Sequence, residues 1–323
     1  MKAIVYSEYG SPGVLRCEEV EKPSPGEGQV LIRVHAAAVN PLDWHFLRGQ
    51  PYPLRLSAGL RAPKDRRLGR DVSGRVESVG RNVTRFRPGD AVFGASKGAF
   101  AEYVCAEESA LAAKPDNVSF EQAASVYVAA LTALQALRDK GHLRAGQKVL
   151  VNGAAGGVGT FAVQIARHLG AEVTGVCSAR NVEMVQGLGA KRVIDYDRED
   201  FTRSGERYDV ILDCVGNHSL PACRRALARD GIHVAVGGPA GRWMLGPLAR
   251  ALFAPLLSRF GSRKFAMLLT RGNQADLALV RELMADGEIV PVIDRRYGLG
   301  EAAEAVRYLE AGHARGKVVI TMQ

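Results

Sequence analysis

The run Val149-Leu150-Val151-Asn152-Gly153-Ala154-Ala155-Gly156-Gly157-Val158-Gly159 constrains this chain more than any other part of it. An apolar, strand-like segment passes through a loop of small residues directly into Thr160-Phe161-Ala162-Val163-Gln164-Ile165-Ala166, which reads as helix. Small residues at Ala154, Gly156 and Gly159 permit a tight turn, close approach of a pyrophosphate to the backbone, and close packing of helix on strand. With Ala155, Gly157 and Val158 they complete a loop whose N–H groups and helix dipole favour phosphate. A purely structural glycine turn is the alternative. The position between a strand and a helix, at the head of a βαβ unit, favours a dinucleotide site.

The rhythm that follows agrees. From Lys148, buried-type strands alternate with helical stretches: Val149–Asn152, Gly159–Leu169, Glu172–Cys177, Val182–Leu188, Arg192–Asp195, Val210–Asp213, Leu220–Ala228 and Ile232–Val236. Strand and helix in that order imply right-handed crossovers and a doubly wound parallel sheet. Residues 1 to about 120 are different: short β-branched runs (Ala3–Tyr6, Val30–Ala36, Val72–Val79, Ala91–Phe93, Ala101–Val104) broken by Gly and Pro predict an irregular β-barrel-like domain. Ser119, with Gln122 three residues on, caps a long Ala- and Leu-rich helix. After an amphipathic helix at Glu301–Leu309, the chain returns to strand at Lys317–Thr321. The expected division is therefore a barrel-like catalytic domain of 1–120 and 266–323 and a nucleotide domain of 121–265.

An NAD-specific site of this kind places Asp or Glu after the second strand, to accept from the ribose 2′-hydroxyl. Here the residues are Cys177-Ser178-Ala179-Arg180-Asn181. No carboxylate repels a 2′-phosphate, and Ser178 and Arg180 can donate to one, so NADPH is the expected cofactor. An exposed loop arginine is the alternative. Tyr196, after the third strand, is placed either to approach the same phosphate or to cap the sheet.

Composition narrows the class. With 323 residues, 47% of them hydrophobic, the chain can build two cores. Five cysteines (Cys17, Cys105, Cys177, Cys214, Cys223) without Cys-x-x-Cys spacing suit buried thiols in a reducing compartment, and the start of the chain carries no apolar run of signal length. A cytoplasmic protein without disulfides or a cysteine-built zinc site is expected. The net charge of +9 is concentrated: Pro239–Arg271 holds six basic residues (Arg242, Arg250, Arg259, Arg263, Lys264, Arg271) and no acid. Aromatic residues, at 7%, are too sparse for the stacking platforms of nucleic-acid binding.

With the loop above and the segment Gly69-Arg70-Asp71-Val72-Ser73-Gly74-Arg75-Val76-Glu77-Ser78-Val79-Gly80, the whole chain resembles the medium-chain dehydrogenase/reductase superfamily. Ala38-Val39-Asn40-Pro41-Leu42-Asp43, Ala129-Ala130-Leu131-Thr132-Ala133 and Gly312-His313-Ala314-Arg315-Gly316-Lys317-Val318-Val319-Ile320 are most similar to its quinone oxidoreductase branch. The resemblance implies a GroES-like catalytic domain joined to a Rossmann domain. Where zinc-dependent members carry their metal ligands, this chain has Asn40, Arg70 with Asp71, and Val128. Asn, Arg and Val cannot build the tetrahedral imidazole, thiolate or carboxylate set that zinc requires. No metal is expected, and oxidation of an unactivated alcohol loses its Lewis acid.

The expected reaction is then hydride transfer from NADPH to an electron-poor acceptor, a quinone or an α,β-unsaturated carbonyl. The resemblance puts Asn40 and Asp43 beside the nicotinamide and Tyr52 on the rim, as proton donor or as lining aromatic. Thr132 touches the nicotinamide or caps a helix. The strand ends at Cys214, Val215, Val236, Gly237 and Gly238 present backbone to the nicotinamide ribose and carboxamide, and Lys317 either approaches the cofactor or is a solvated end. A binding protein without turnover is the competing class. A homodimer is expected, because Lys264–Thr270 reads as an apolar edge strand. In Pro239–Arg271 the apolar residues fall at helical spacings, as a helix packed on the protein or as a peripheral membrane contact.

Overall fold

The computed structural model describes residues 1–237 and 262–322. The chain divides into two compact units, Met1–Leu131 with Gly272–Gln323, and Thr132–Arg271.

In the second unit six parallel strands are ordered Arg192–Asp195, Glu172–Cys177, Lys148–Asn152, Tyr208–Asp213, Leu227–Ala235, Lys264–Met267. Counted along the chain this is the order 3-2-1-4-5-6 of the doubly wound nucleotide-binding sheet. Lys148–Asn152 and Tyr208–Asp213 are neighbours in exact parallel register, Val210 opposite Val149 and Asp213 opposite Asn152. Chain direction reverses across the sheet between these two strands, so the ends at Asn152 and Asp213 open the crevice where such folds take ligands. Leu150, Val176, Ile194, Phe201, Tyr208, Ile211 and Phe265 form one buried cluster. Each such full burial contributes about 1.5–3 kcal/mol.

The first unit is built on a seven-stranded sheet. Its long central strand Gln29–Val39 pairs along one edge with Asp71–Val79, and along the other with Tyr103–Glu107 in its first half and Lys317–Thr321 in its last. Ala91–Ala95 and Leu111–Ala113 extend it beyond Asp71–Val79; Ile293–Gly298 lies outside Lys317–Thr321. The C-terminal strand thus inserts beside an N-terminal one, Val318 opposite Val39. That pairing brings Lys317 to the end of the strand that runs into Asn40. Ile4, Val30, Ile32, Val39, Leu47, Phe100, Ala305, Val318 and Ile320 fill the core.

Several elements differ from expectation. The helix capped by Ser119, whose hydroxyl accepts from Gln122 N, stops at Ala124, and a second helix, Tyr127–Gln135, follows. The first of these belongs to the barrel side: Phe120 stacks on His35 at 4.2 Å, and its carbonyl accepts from Ser73. The boundary accordingly falls after Leu131, and on the return at Arg271. Asn40-Pro41-Leu42-Asp43 also opens a helix, Pro41–Arg48, with Pro at its first position, where the missing N–H costs nothing. Helix Gln274–Ala285, capped by Asn273 Oδ1 on Asp276 N, was not foreseen.

Candidate functional site

In the second unit the nucleotide loop has the geometry its composition calls for. Helix Gly157–His168 starts from Gly156 with no side-chain cap, leaving its first turn open to an anion. A Cβ on Gly159 would lie 2.1 Å from Gly153 O, so only glycine lets the helix close on the turn. Ala154 and Ala155 are buried under it. The loop Ala154, Ala155, Gly156, Gly157, Val158 and Gly159 thus offers backbone N–H groups that could hold the pyrophosphate of a dinucleotide.

After strand Glu172–Cys177, Ser178 begins a short turn containing exposed Arg180. Asn181 Nδ2 donates to Ser178 Oγ at 3.1 Å, which leaves the hydroxyl proton free to turn to a ligand. Asn181 Oδ1 is buried with no partner among the described residues. Tyr196 N donates to Cys177 O, and the Tyr196 ring is exposed beside that same strand end. Ser178, Arg180 and Tyr196 are thus drawn to one edge of the sheet.

At the fourth strand's end the organising residue is Asp213. Its Oδ1 accepts from Gly216 N at 2.7 Å, Val215 N at 3.1 Å and Asn152 Nδ2 at 2.9 Å, and Oδ2 faces His233 Nε2 at 3.3 Å. Burial alone would raise this carboxyl; the His233 bond and its electrostatic pull, with Gly216 N–H and the Asn152 amide, outweigh it and hold Asp213 at about 2. The bend through Cys214 and Val215 is shaped by that carboxylate. Val236 N bonds Asp213 O, and a Cβ on Gly237 would meet Cys214 O at 2.3 Å, so the two strand ends lie against one another. Gly238 lies outside the described residues. Thr132 is inside helix Tyr127–Gln135, not at its N-terminus, and lies hydroxyl to hydroxyl with Thr270 at 2.7 Å.

The first unit holds a buried polar cluster. Asn40, Asp43, Asp71 and Lys317 are all buried, Lys317 with 3% exposure. Lys317 Nζ donates to Asn40 Oδ1 at 2.5 Å and lies 3.3 Å from Asp71 Oδ2. Asn40 Nδ2 donates to Asp71 Oδ2 at 3.0 Å, and Val128 N donates to Asp71 Oδ1 at 3.0 Å. Asp43 stands apart from the ammonium: its carboxylate accepts from Asn40 N at 2.7 Å and Gly69 N at 3.2 Å. Desolvation pushes Asp43 up to about 7; the Asn40 N–H opposes it, Asp71 reinforces it, and the Gly69 N–H and Lys317 pull back. Burial likewise pushes Asp71 up, against Lys317, Asn40 and Val128. The solvated-end alternative for Lys317 is wrong, because antiparallel pairing of the C-terminal strand carries its ammonium inside.

Asp43 also lines a cavity of about 450 Å³ with Tyr6, Leu42, Phe46, Leu68 and Gly69. Tyr52 is not among its lining residues; it begins a short helical turn, with the Arg55 guanidinium 5.0 Å from its ring centroid. Tyr6 is the tyrosine on this wall, and burial raises its hydroxyl pKa. Sequence reasoning passed over it as an ordinary strand residue. Among the described residues, Asp213, Cys223 and His233 alone bring three metal-binding atoms within 4.8 Å. The Asp213 oxygens are already committed to Asn152, Val215, Gly216 and His233, so the group reads as a hydrogen-bond network.

The model of the alcohol dehydrogenase GroES-like domain matches residues 26–116, and that of the zinc-binding dehydrogenase matches residues 188–320. A quinone-oxidoreductase homolog of Spinacia oleracea chloroplasts is 33% identical over 334 residues, covering 99% of this chain and 98% of the relative. The chain belongs to the medium-chain dehydrogenase/reductase superfamily, in its quinone oxidoreductase branch. Another relative in this superfamily, the chloroplastic NADPH-dependent alkenal/one oxidoreductase of Arabidopsis thaliana, is 32% identical over 339 residues, 99% of this chain and 79% of that protein. The structure of the quinone oxidoreductase from Coxiella burnetii superposes with a TM-score of 0.87 at 33% identity, over 100% of this chain and 99% of that one. In this superfamily the first unit is the GroES-like domain and the second the Rossmann domain, and the chain is an oxidoreductase. At the positions where zinc-dependent members carry their ligands, Asn40 and Asp71 are bonded to the Lys317 ammonium, and Val128 donates its N–H to Asp71.

Proposed function

We propose that this oxidoreductase uses NADPH to reduce a quinone or an α,β-unsaturated carbonyl without a metal ion. The observation that carries the metal-free reading is the buried Lys317 side chain on Asn40 and Asp71, which sets a protein amine among the residues that would otherwise serve a metal. Quinones and enones are already electron-poor, so they need orientation and a stabilised oxyanion more than a Lewis acid. The printed activities of the quinone and alkenal/one relatives support that acceptor class.

Bound NADPH supplies hydride from its nicotinamide C4. Ala154 to Gly159 would hold its pyrophosphate. Ser178 and Arg180 donate to the 2′-phosphate with Tyr196 alongside, and Asn181 Oδ1 accepts from a ribose hydroxyl. Backbone groups at Cys214, Val215, Val236, Gly237 and Gly238, with Thr132, serve the nicotinamide end. On the acceptor side Asn40 and Lys317 fix the Asp71 carboxylate, while Asp43, near neutrality in its proton affinity, and Tyr6 face the cavity where an acceptor oxygen would gain charge. We assign that hydrogen bond to Tyr6 over Tyr52, since Tyr6 is on the wall. We also place the protein in a reducing, cytoplasmic setting, which five cysteines without Cys-x-x-Cys spacing suit.

A panel of quinones, enals and enoyl thioesters, each offered with NADPH and with NADH, tests this reading. Consumption of NADPH well ahead of NADH with quinones or enals is expected. Tight NADPH binding with no consumption by any acceptor would leave a binding protein instead.

A further inference from the structure

The first unit has a second cavity, of about 430 Å³, and it shares a wall with the one beside Asp43: Arg67, Arg70, Ser96 and Lys97 line both. The fold holds these four in place. Asp71–Val79 and Ala91–Ala95 pair antiparallel with Asp71 opposite Ala95, and one residue further out Ser96 N donates to Arg70 O at 2.9 Å. Arg67 is anchored by its bridge to Val5.

The chemistry of this wall is one-sided. Arg70 and Lys97 are exposed and make no hydrogen bond or ion pair among the described residues, and Arg67 reaches Asp65 only at 4.0 Å. Arg67 lies close enough to Cys105, and Arg70 to Tyr127, to lower the pKa of each against burial. The acids on the two walls are otherwise engaged. Asp43 takes N–H groups of Asn40 and Gly69, Asp65 takes Arg67 N, and Glu107 takes Gln29 Nε2. Among them is Ser96, 6% exposed, which lines both cavities and whose buried hydroxyl has no partner among the described residues. An orphaned hydroxyl costs free energy unless something accepts from it or donates to it, and three guanidinium and ammonium groups around it select an anion.

We infer that Arg67, Arg70, Lys97 and Ser96 form an oxyanion subsite, and that the favoured acceptors carry a carboxylate or phosphate on an apolar body. The inference rests on the reductase reading above and deepens it. Tyr6, Leu42, Phe46 and Leu68 pack the apolar part, within the cavity that reaches Asp43, while the acidic end meets the arginines. Guanidinium groups grip either anion in a bidentate way.

Three acceptors that share one enone chain and end in methyl, carboxylate or phosphate monoester make the test, read as ratios of kcat/KM. Calorimetric binding of the corresponding saturated acids, which cannot be reduced, runs beside it. At least one acidic acceptor should exceed the methyl one by about tenfold or more, as the loss or gain of one charge-assisted hydrogen bond implies. In Arg70→Gln and in Ser96→Ala that ratio should fall toward unity, and the saturated acid should bind more weakly in step. The arm that wins, carboxylate or phosphate, identifies the anion. Because each ratio is taken within one variant, partial unfolding cancels. Saturated acids that bind through Arg70 when no acceptor is reduced would support the subsite and defeat the reductase reading. Reduction of the methyl acceptor with no preference for either acid, or a preference untouched in Arg70→Gln, would overturn the subsite.

Discussion

Asp43 carries the clearest residue-level consequence. Its folded pKa of about 7 stands above the ordinary 3.8, so the folded state binds this proton more tightly than the unfolded chain. The stability it contributes is complete below the ordinary value and is lost as pH rises toward about 7, by on the order of a few kcal/mol. Urea unfolding from pH 4 to 7.5 should show that decline, and Asp43→Asn should flatten it; an identical slope in the variant would contradict the assignment. Lys317 and Asp71 are coupled differently. Lys317→Met leaves a buried carboxylate without its cation, at about 3–5 kcal/mol, and adding Asp71→Asn should recover a large part of that loss in thermal melts. Simple additivity would mean the two do not act as a pair. Neither partnership was legible beforehand. Asn40 and Asp43 were singled out through the motif they share, but the ammonium that meets Asn40 lies 277 residues further along the chain. Tyr6 and Ser96 look like routine strand and turn residues until the sheet brings Arg70 and Asp43 to them.

At the scale of elements, regular periodicity was readable and its interruptions were not. Strands of the doubly wound sheet fell close to their expected spans because apolar runs alternate with helical patterns there. The helix after Ser119 was read as continuous because Ala and Leu hide the break at Ser125, which helix propensity alone does not mark. Helix Pro41–Arg48 is hidden in the sequence because Asn40 and Asp43 read as chemistry; Asp43 in fact also accepts the Asn40 N–H at the helix start. The glycine loop was the opposite case, since its residue types follow from the approach of Gly159 to Gly153. Gly159→Ala should therefore push the helix off the turn and weaken NADPH binding by about tenfold or more, an effect measurable by fluorescence titration. Unchanged affinity would remove the loop from the nucleotide site.

For the whole molecule, composition and motif together named the superfamily, and the two units bear out its two folds. Their boundary lay beyond sequence reasoning, because Phe120 docks on the barrel sheet through His35 while its helix composition matches the nucleotide side. Strand Lys264–Met267 is the edge of the parallel sheet among the described residues, as expected. Its apolar load is smaller than the run suggested: Phe265 and Leu268 turn inward, leaving Met267 at 47% and Leu269 at 80% exposure. We still propose that a second copy covers this edge, and sedimentation at micromolar concentration should show a dimer; a monomer alone would refute it. The membrane-contact reading of Pro239–Arg271 falls largely outside the described residues, and none of the described helices is long and apolar enough to span a bilayer. Metal-free reduction by this fold can be measured as NADPH oxidation with a quinone or enal after exhaustive dialysis against a chelator, with metal content determined on the same sample. An undiminished rate with far less than one zinc per chain is expected; a rate that disappears with the metal and returns when zinc is restored would overturn the metal-free reading.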